Sequence, residues 1–404
     1  MTLDLSIVGG TVVTASGTGD AEERLDVRAC AVGIKGERIV SLGEPQAAAK
    51  VIDAAGAVVL PGLVDPHTHL VFAGSRADEF AARMSGVDYQ TIAAQGGGIA
   101  STVRATRDAT EDELFDLGKA RILALRESGV TAVEIKSGYG LSVDDELRLL
   151  RVARRLAPFA RIRTTFLGAH AVPAGIGRET YVDQVVHEQL PAVAEAGVAD
   201  ACDVYCDEGA FTLSDTRRIL EAARDLGLDL RVHAGQFADL GAAGLAAELG
   251  ALSADHLEEV SGEDLRALAT AEARAVFLPG AWRTLRQAPP HAARFRDAGV
   301  RIAIGTDLNP GTSPTSDLLL MASLAVRDAH LTPAEALLGI TTEAAAAAGF
   351  SDGVGTLFEG GPADVAIVDA TSPASLTYAF GGLRARTVIL RGEVVHQTFS
   401  PRLW

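Results

Sequence analysis

"LPGLVDPHTHL", residues 60–70, places His67 and His69 two positions apart at the end of an apolar run that follows a Pro-Gly pair. Side chains at i and i+2 of a strand share one face, so the two imidazoles point the same way. Histidines seldom finish a hydrophobic strand without a partner, and the rest of the chain supplies candidates. Downstream, short apolar strands alternate with amphipathic helices. The strand candidates are "AVVLPGLVDPH", "VTAVEIKSGYG", "IRTTFLGAH", "LDLRVHAGQ", "ALSADH", "RAVFLPG" and "VRIAIGTD". Between several of them lie helical stretches such as "EDELFDLGKARILALRESG", "DDELRLLRVARRLA", "SDTRRILEAARDLG" and "GEDLRALATAEA", several ending in Gly after a basic last turn. This β/α rhythm predicts a parallel sheet, and its length predicts a (β/α)8 TIM-type barrel over residues 59–358.

Both chain ends read differently. "DLSIVGGTVVTA" and "AVGIKGERIVSLG" are β-branched runs broken by Gly, as are "ADVAIVDA" and "RTVILRGEVVHQ" near the C-terminus. Neither end has enough residues for a sandwich of its own. The expectation is one small β-sandwich-like domain built from residues 1–58 together with 359–404. Residues 72–110 form a long Gly-rich excursion, too long for a routine connection and suited to a mobile active-site loop.

The composition narrows the function. The chain has 404 residues, enough for a large core, with 48% hydrophobic and 22% charged residues, an ordinary globular balance. A net charge of −17 opposes sequence-independent binding to nucleic acid or to an anionic membrane, both of which need clustered Lys and Arg. It does not oppose a small anionic substrate, because one well-placed arginine overrides the global field at short range. The apolar runs are too short to span a bilayer, and Asp4 sits where a signal peptide would be basic. Cys30, Cys202 and Cys206 form no framework, and a reducing, cytoplasmic setting is expected.

Five of the nine histidines, His67, His69, His170, His233 and His256, lie at C-terminal ends of predicted strands, and Asp307 ends another in "IAIGTD". In a parallel barrel all those ends open onto one face. His67, His69, His233 and Asp307 offer three nitrogens and one carboxylate, a donor set for an open catalytic site of Zn²⁺ or a similar ion. Such an ion brings the pKa of bound water toward neutrality, and a nearby carboxylate can carry the proton to a leaving nitrogen. Each element alone has a bland explanation: a structural His-x-His pair, a buried hydrogen-bonded histidine, a chance "GTD". Together they repeat a costly polar group at strand ends. His187, His291, His330 and His396 fall in helical or surface contexts without an assigned role.

These residues, in this order, resemble the amidohydrolase superfamily. "HTHLVFAGSRADEF", "GGGIASTVRATR", "VEIKSGYGL", "FLGAHAVP", "VHAGQF", "SADHLE" and "IGTDLNPGTSP" resemble, within it, the imidazolonepropionase family, over roughly residues 5–395. The resemblance implies a hydrolase of histidine degradation that opens a small anionic heterocycle, 4-imidazolone-5-propanoate, to N-formimidoyl-L-glutamate by attack of metal-bound hydroxide on the ring carbonyl. It implies the metal ligands already named and substrate contacts at Arg76, Tyr139, His170, Gln236, Asn309, Gly311 and Thr312. Asp307 would shuttle the proton, and His170 or His256 would donate to the oxyanion. One metal per chain, Zn or Fe, is expected, because strand four, which carries a carboxylated bridging lysine in many two-metal relatives, is read here as the strand that ends in His170, and Lys136 lies a strand earlier. Some family members carry Glu at the position of Gln236, whose neutral amide suits orientation rather than proton transfer. The expected assembly is a homodimer. A heterocycle deaminase, a cyclic amidase of the hydantoin or dihydroorotate type, and an inactive barrel serving as an assembly subunit are the competing readings.

Overall fold

The computed structural model describes residues 2–87 and 96–398. Eight parallel strands follow one another around a barrel in chain order: Leu63–Asp65, Val130–Lys136, Arg161–Ala169, Ala201–Cys206, Asp229–Ala234, Ser253–His256, Arg274–Phe277 and Ile302–Ile304. Seam contacts complete the ring. Thr68 and Leu308 form a parallel bridge, His69 N–H donates to the Leu308 carbonyl at 3.0 Å, and Asp307 N–H donates to the His67 carbonyl at 3.0 Å. These contacts set the two histidines of the first strand against the aspartate of the last.

Six of the eight strands lie within the sequence-predicted runs, and a seventh, Arg161–Ala169, starts one residue ahead of its run. The fourth, Ala201–Cys206, lies in none of them, so His170 follows the third strand, Arg161–Ala169, rather than the fourth as expected, and the true fourth strand also carries no lysine. Its reading was obscured by Asp200, Asp203 and Asp207, acids that look like loop residues. Asp203 is nonetheless fully buried, because Lys136 of the second strand meets it at 2.8 Å. A second difference concerns "AVVLPGLVDPH", expected as one strand. It is two: Val58–Pro61 pairs outside the barrel, and Leu63–Asp65 is the first barrel strand. The break falls at Gly62, where a Cβ would lie 2.0 Å from the Thr131 hydroxyl.

The helices outside the barrel start and stop where their chemistry dictates. Glu111–Glu127 opens on a Thr110–Glu113 capping box and Leu213–Asp225 on a Thr212–Asp215 box, each satisfying otherwise orphaned N–H groups. The excursion after the first strand contains two helices, Ala77–Met84 and Ile99–Asp108. Residues 88–95, on which the mobile-loop expectation partly falls, lie outside the described residues.

Two further sheets lie outside the barrel, one built from the N-terminal residues alone and one in which both ends of the chain meet. One has four strands in the order Arg38–Gly43, Ala31–Lys35, Leu3–Val8, Ala48–Asp53. The other has six: Glu393–Gln397, Ala385–Leu390, Val365–Val368, Val58–Pro61, Thr11–Ala15 and Leu25–Ala29. Leu5, Ile7, Val12, Val32, Ile34, Val59, Val365, Ile367 and Ile389 form the core they share. The larger core, around the barrel, is a separate cluster.

Candidate active site

The sequence-predicted strand-end residues converge. His67 Nε2 lies 3.3 Å from His69 Nε2, and His233 Nε2 lies 3.4 Å from the same atom. Asp307 Oδ1 is 3.6 Å from His67 Nε2 and 3.5 Å from His69 Nε2. All four side chains are buried. Four donors around an ion at about 2.0–2.1 Å would be separated by roughly 3.3–3.4 Å along a tetrahedron's edges. The tautomers agree with an ion at that point. His67 Nδ1 meets Asp255 Oδ2 at 2.5 Å, and His233 Nδ1 meets Asp203 Oδ1 at 3.0 Å. With Nδ1–H donated to a carboxylate, each Nε2 keeps a bare lone pair. Lone pairs this close repel unless a cation lies between them. Burial, reinforced by Lys136 and the neighbouring histidines, holds the His67 pKa well below its ordinary value, the neutral form a ligand needs. His69 is depressed in the same way, by burial first and then by His170. His256 approaches from the other side, its ring 5.5 Å from that of His233, so His67, His233 and His256 form a second possible donor group.

Beneath these groups is a buried charge network that the sequence reading did not anticipate. Lys136 Nζ is 2.8 Å from Asp203, 3.1 Å from Glu134 and 3.6 Å from Asp255. Burial alone would lower the lysine's pKa, but the three carboxylates raise it, so it remains an ammonium. Lys136 is thus the shared counter-ion of both carboxylates that orient His67 and His233. The backbone is strained here as well: His256, Leu257 and Asp307 have φ of +79°, +65° and +52°. Such conformations cost about 1–3 kcal/mol each and persist only where the surroundings enforce them.

Above the donors opens a cavity of about 850 Å³, whose lining includes Arg76, Tyr139, His170, Gln236, Asn309 and Thr312. Gly311 faces an adjoining hollow of about 300 Å³ instead. Tyr139 sits deep rather than at the rim, its ring 5.3 Å from that of His170. His170 stacks on His69 at 5.0 Å, and its Nδ1 bonds the Gly138 carbonyl at 3.0 Å. Arg76 both lines the cavity and pairs through Nε with Glu79 at 2.8 Å, so the salt bridge and the pocket position coexist. Its guanidinium lies so close over Gly311 that a Cβ there would fall 2.1 Å from a terminal nitrogen. Asn309 uses its amide on its own loop: Oδ1 accepts from Gly311 N–H and Thr312 N–H at 2.8 Å, while Nδ2 donates to the Asp307 carbonyl and to Thr312 Oγ1. It holds Thr312, whose hydroxyl is 3.4 Å from Asp307 Oδ2. Tyr205, Arg83 and Arg286 also line the cavity and had not been singled out. Tyr205 lies on the missed strand, and neither arginine has a strand-end signal. Burial raises the Asp307 pKa to about 6.

A (β/α)8 barrel with histidines and an aspartate at its strand ends defines a hydrolase class. Residues 58–395 match the Amidohydrolase family, to which the chain belongs. Closer relatives narrow this. The imidazolonepropionase of Shewanella sediminis is 48% identical over 347 residues, 85% of each chain. That of Verminephrobacter eiseniae is 50% identical over 349 residues, 85% of this chain and 76% of the relative. Within the amidohydrolases, the chain is a member of the imidazolonepropionase family. Among solved structures, the 5-methylcytosine deaminase from Klebsiella pneumoniae liganded with 5-fluorocytosine is similar in fold, with a TM-score of 0.76 at 18% identity over 99% of both chains.

Proposed function

We propose that this chain hydrolyses 4-imidazolone-5-propanoate to N-formimidoyl-L-glutamate, with one zinc or iron ion per chain held by His67, His69, His233 and Asp307. The observation that carries the reading is the convergence of those four donors beneath a cavity that also presents Arg76. A bound ion would supply a water acidified to near neutrality and polarise the ring carbonyl.

The chain's own groups account for the rest. Arg76 suits the propanoate tail, because a guanidinium grips a carboxylate through a two-pronged fork. Its Nε is tied to Glu79, which aims the terminal nitrogens. Asp307 accepts the proton released as water attacks and returns it to the ring nitrogen as the C–N bond opens. A hydrogen bond at His170 and a nearby charge at His256 support a division of roles between them. His170 donates Nδ1–H to Gly138, and burial lowers its pKa to about 3, so its Nε2 is an acceptor suited to a ring N–H. His256 has the Glu258 carboxylate 3.7 Å away. That charge favours the imidazolium, so His256 is the better donor to the developing oxyanion, a contact worth about 3–4 kcal/mol in comparable sites.

Three free cysteines suit a reducing, cytoplasmic setting, and no helix among the described residues is long and apolar enough to cross a membrane. The assembly proposed is a homodimer, checked by the solution mass. The decisive experiment mixes purified protein with freshly prepared imidazolone propanoate and follows loss of the ring absorbance, alongside elemental analysis. Absence of turnover in protein carrying one equivalent of metal would reject the assignment.

A further inference from the structure

The amide of Gln236 is held unusually firmly for a side chain on a loop. Its backbone N–H and the next two, of Phe237 and Ala238, all donate to the Asp207 carboxylate, at 2.7, 2.9 and 3.1 Å. Its carbonyl accepts from Gln287 Nε2 at 2.6 Å. Just before it, Gly235 has a φ of +65°, and a Cβ there would fall 2.0 Å from the Glu259 carbonyl oxygen. The main chain is therefore fixed from three sides, leaving only the side-chain torsions free. Tyr205, one turn of the pocket wall away on the fourth barrel strand, fixes those: its hydroxyl donates to Gln236 Oε1 at 2.9 Å. The phenol is itself wedged in place, edge-on to His233 at 5.8 Å and to His170 at 6.2 Å.

A primary amide has one accepting and one donating end. With Oε1 taken by a phenolic O–H, the –NH2 end is the one left for the cavity. We infer that Tyr205 is a positioning residue for substrate recognition: it points the Gln236 amide so that the wall offers a hydrogen-bond donor and selects a ring with an acceptor, a carbonyl or unprotonated nitrogen, at that point. This rests on the activity proposed above. It assigns Tyr205 no contact with the reacting atoms. Its effect passes through Gln236, and that makes it separable from a packing role.

The test is a double-mutant cycle on the metal-loaded enzyme with imidazolone propanoate, using Tyr205→Phe, Gln236→Ala and the double variant. Losing the orienting bond should lower kcat/KM by about 3- to 10-fold, mostly through KM, the scale of one neutral hydrogen bond. In the Gln236→Ala background the same change should cost less than twofold, because nothing remains to be oriented. Thermal unfolding of each variant separates loss of fold from loss of orientation, and Tyr205→Trp, which keeps an aromatic ring without the hydroxyl donor in place, should not restore KM. Additive losses in the cycle, or an unchanged KM in Tyr205→Phe, overturn the positioning role while leaving the activity standing. No turnover by the wild-type enzyme overturns both.

Discussion

Lys136→Met removes a charge and keeps most of the volume. In the folded chain the ammonium is fully buried among Asp203, Glu134 and Asp255, at 2.8, 3.1 and 3.6 Å. At an effective dielectric of about 20, each of the closer contacts has a gross Coulomb energy of roughly 5 kcal/mol. Much of that is offset by the cost of taking the ammonium out of water, so the net loss on removing one partner of such a cluster is about 3–5 kcal/mol. Unfolding entropy of about 2.1 cal/mol/K per residue gives roughly 0.85 kcal/mol/K for a chain of this length, so Tm should fall by about 4–6 °C. Scanning calorimetry of chelator-treated protein measures this without a contribution from metal binding. The loaded variant should also release its ion faster, because the two carboxylates that orient His67 and His233 lose their common counter-ion. A Tm within about one degree of wild type would show that the carboxylates do not depend on Lys136, and the network argument would be wrong.

His233→Ala should lose metal and activity together, measured by elemental analysis and turnover, whereas Asp307→Asn should lose far more activity than metal. Near-normal turnover in metal-replete Asp307→Asn would end the proton-shuttle assignment. Arg76→Ala should raise KM by roughly 10- to 150-fold, the loss of one charge-assisted contact, with a much smaller change in kcat. Gly311→Ala should raise KM in the same direction with little change in Tm, since the new methyl displaces only the mobile end of Arg76. Unaltered KM in both would return Arg76 to its pairing with Glu79. Asp65 gives a pH prediction. Burial raises its pKa to about 7 in the fold, against about 3.9 unfolded. The folded carboxyl therefore keeps a proton that the unfolded one has lost, and its contribution to the stability of metal-free protein falls as pH rises from about 4 to about 7. Urea unfolding midpoints across that range should decline less steeply in Asp65→Asn. An identical slope would contradict the raised pKa.

The barrel and the convergence of His67, His69, His233 and Asp307 were legible because strand-end histidines stand out against apolar runs, and the parallel topology gathers those ends on one face. What stayed hidden was whatever depends on compensation from another strand. Asp203 reads as a loop acid until Lys136 is beside it, and with it went the fourth strand and Tyr205. The Pro61-Gly62 step looked like a ripple in one strand, because its close approach to Thr131 has no local signature. The helices Ala77–Met84 and Ile99–Asp108 were masked by glycines that only flank the second one. Asn309 lines the cavity, yet sequence does not reveal that its amide is spent within its own loop.

The strand Val58–Pro61 pairs with Val365–Val368, roughly three hundred residues later. At a synthesis rate of about 5–20 residues per second, that interval is on the order of 15–60 s. Throughout it the six-stranded sheet exists on the ribosome with only Thr11–Ala15, Leu25–Ala29 and Val58–Pro61 made, while the eight β/α units emerge in the order in which they pair. Val12 and Val59 already share a core with Leu5, Ile7, Val32 and Ile34, but Val365, Ile367 and Ile389, which complete it, are still to come. A nascent chain stopped before Val365 has only Thr11–Ala15 to pair with Val58–Pro61. The vulnerable period of this protein's life is thus set by the speed of translation, and the last strands to be made are the ones that end it.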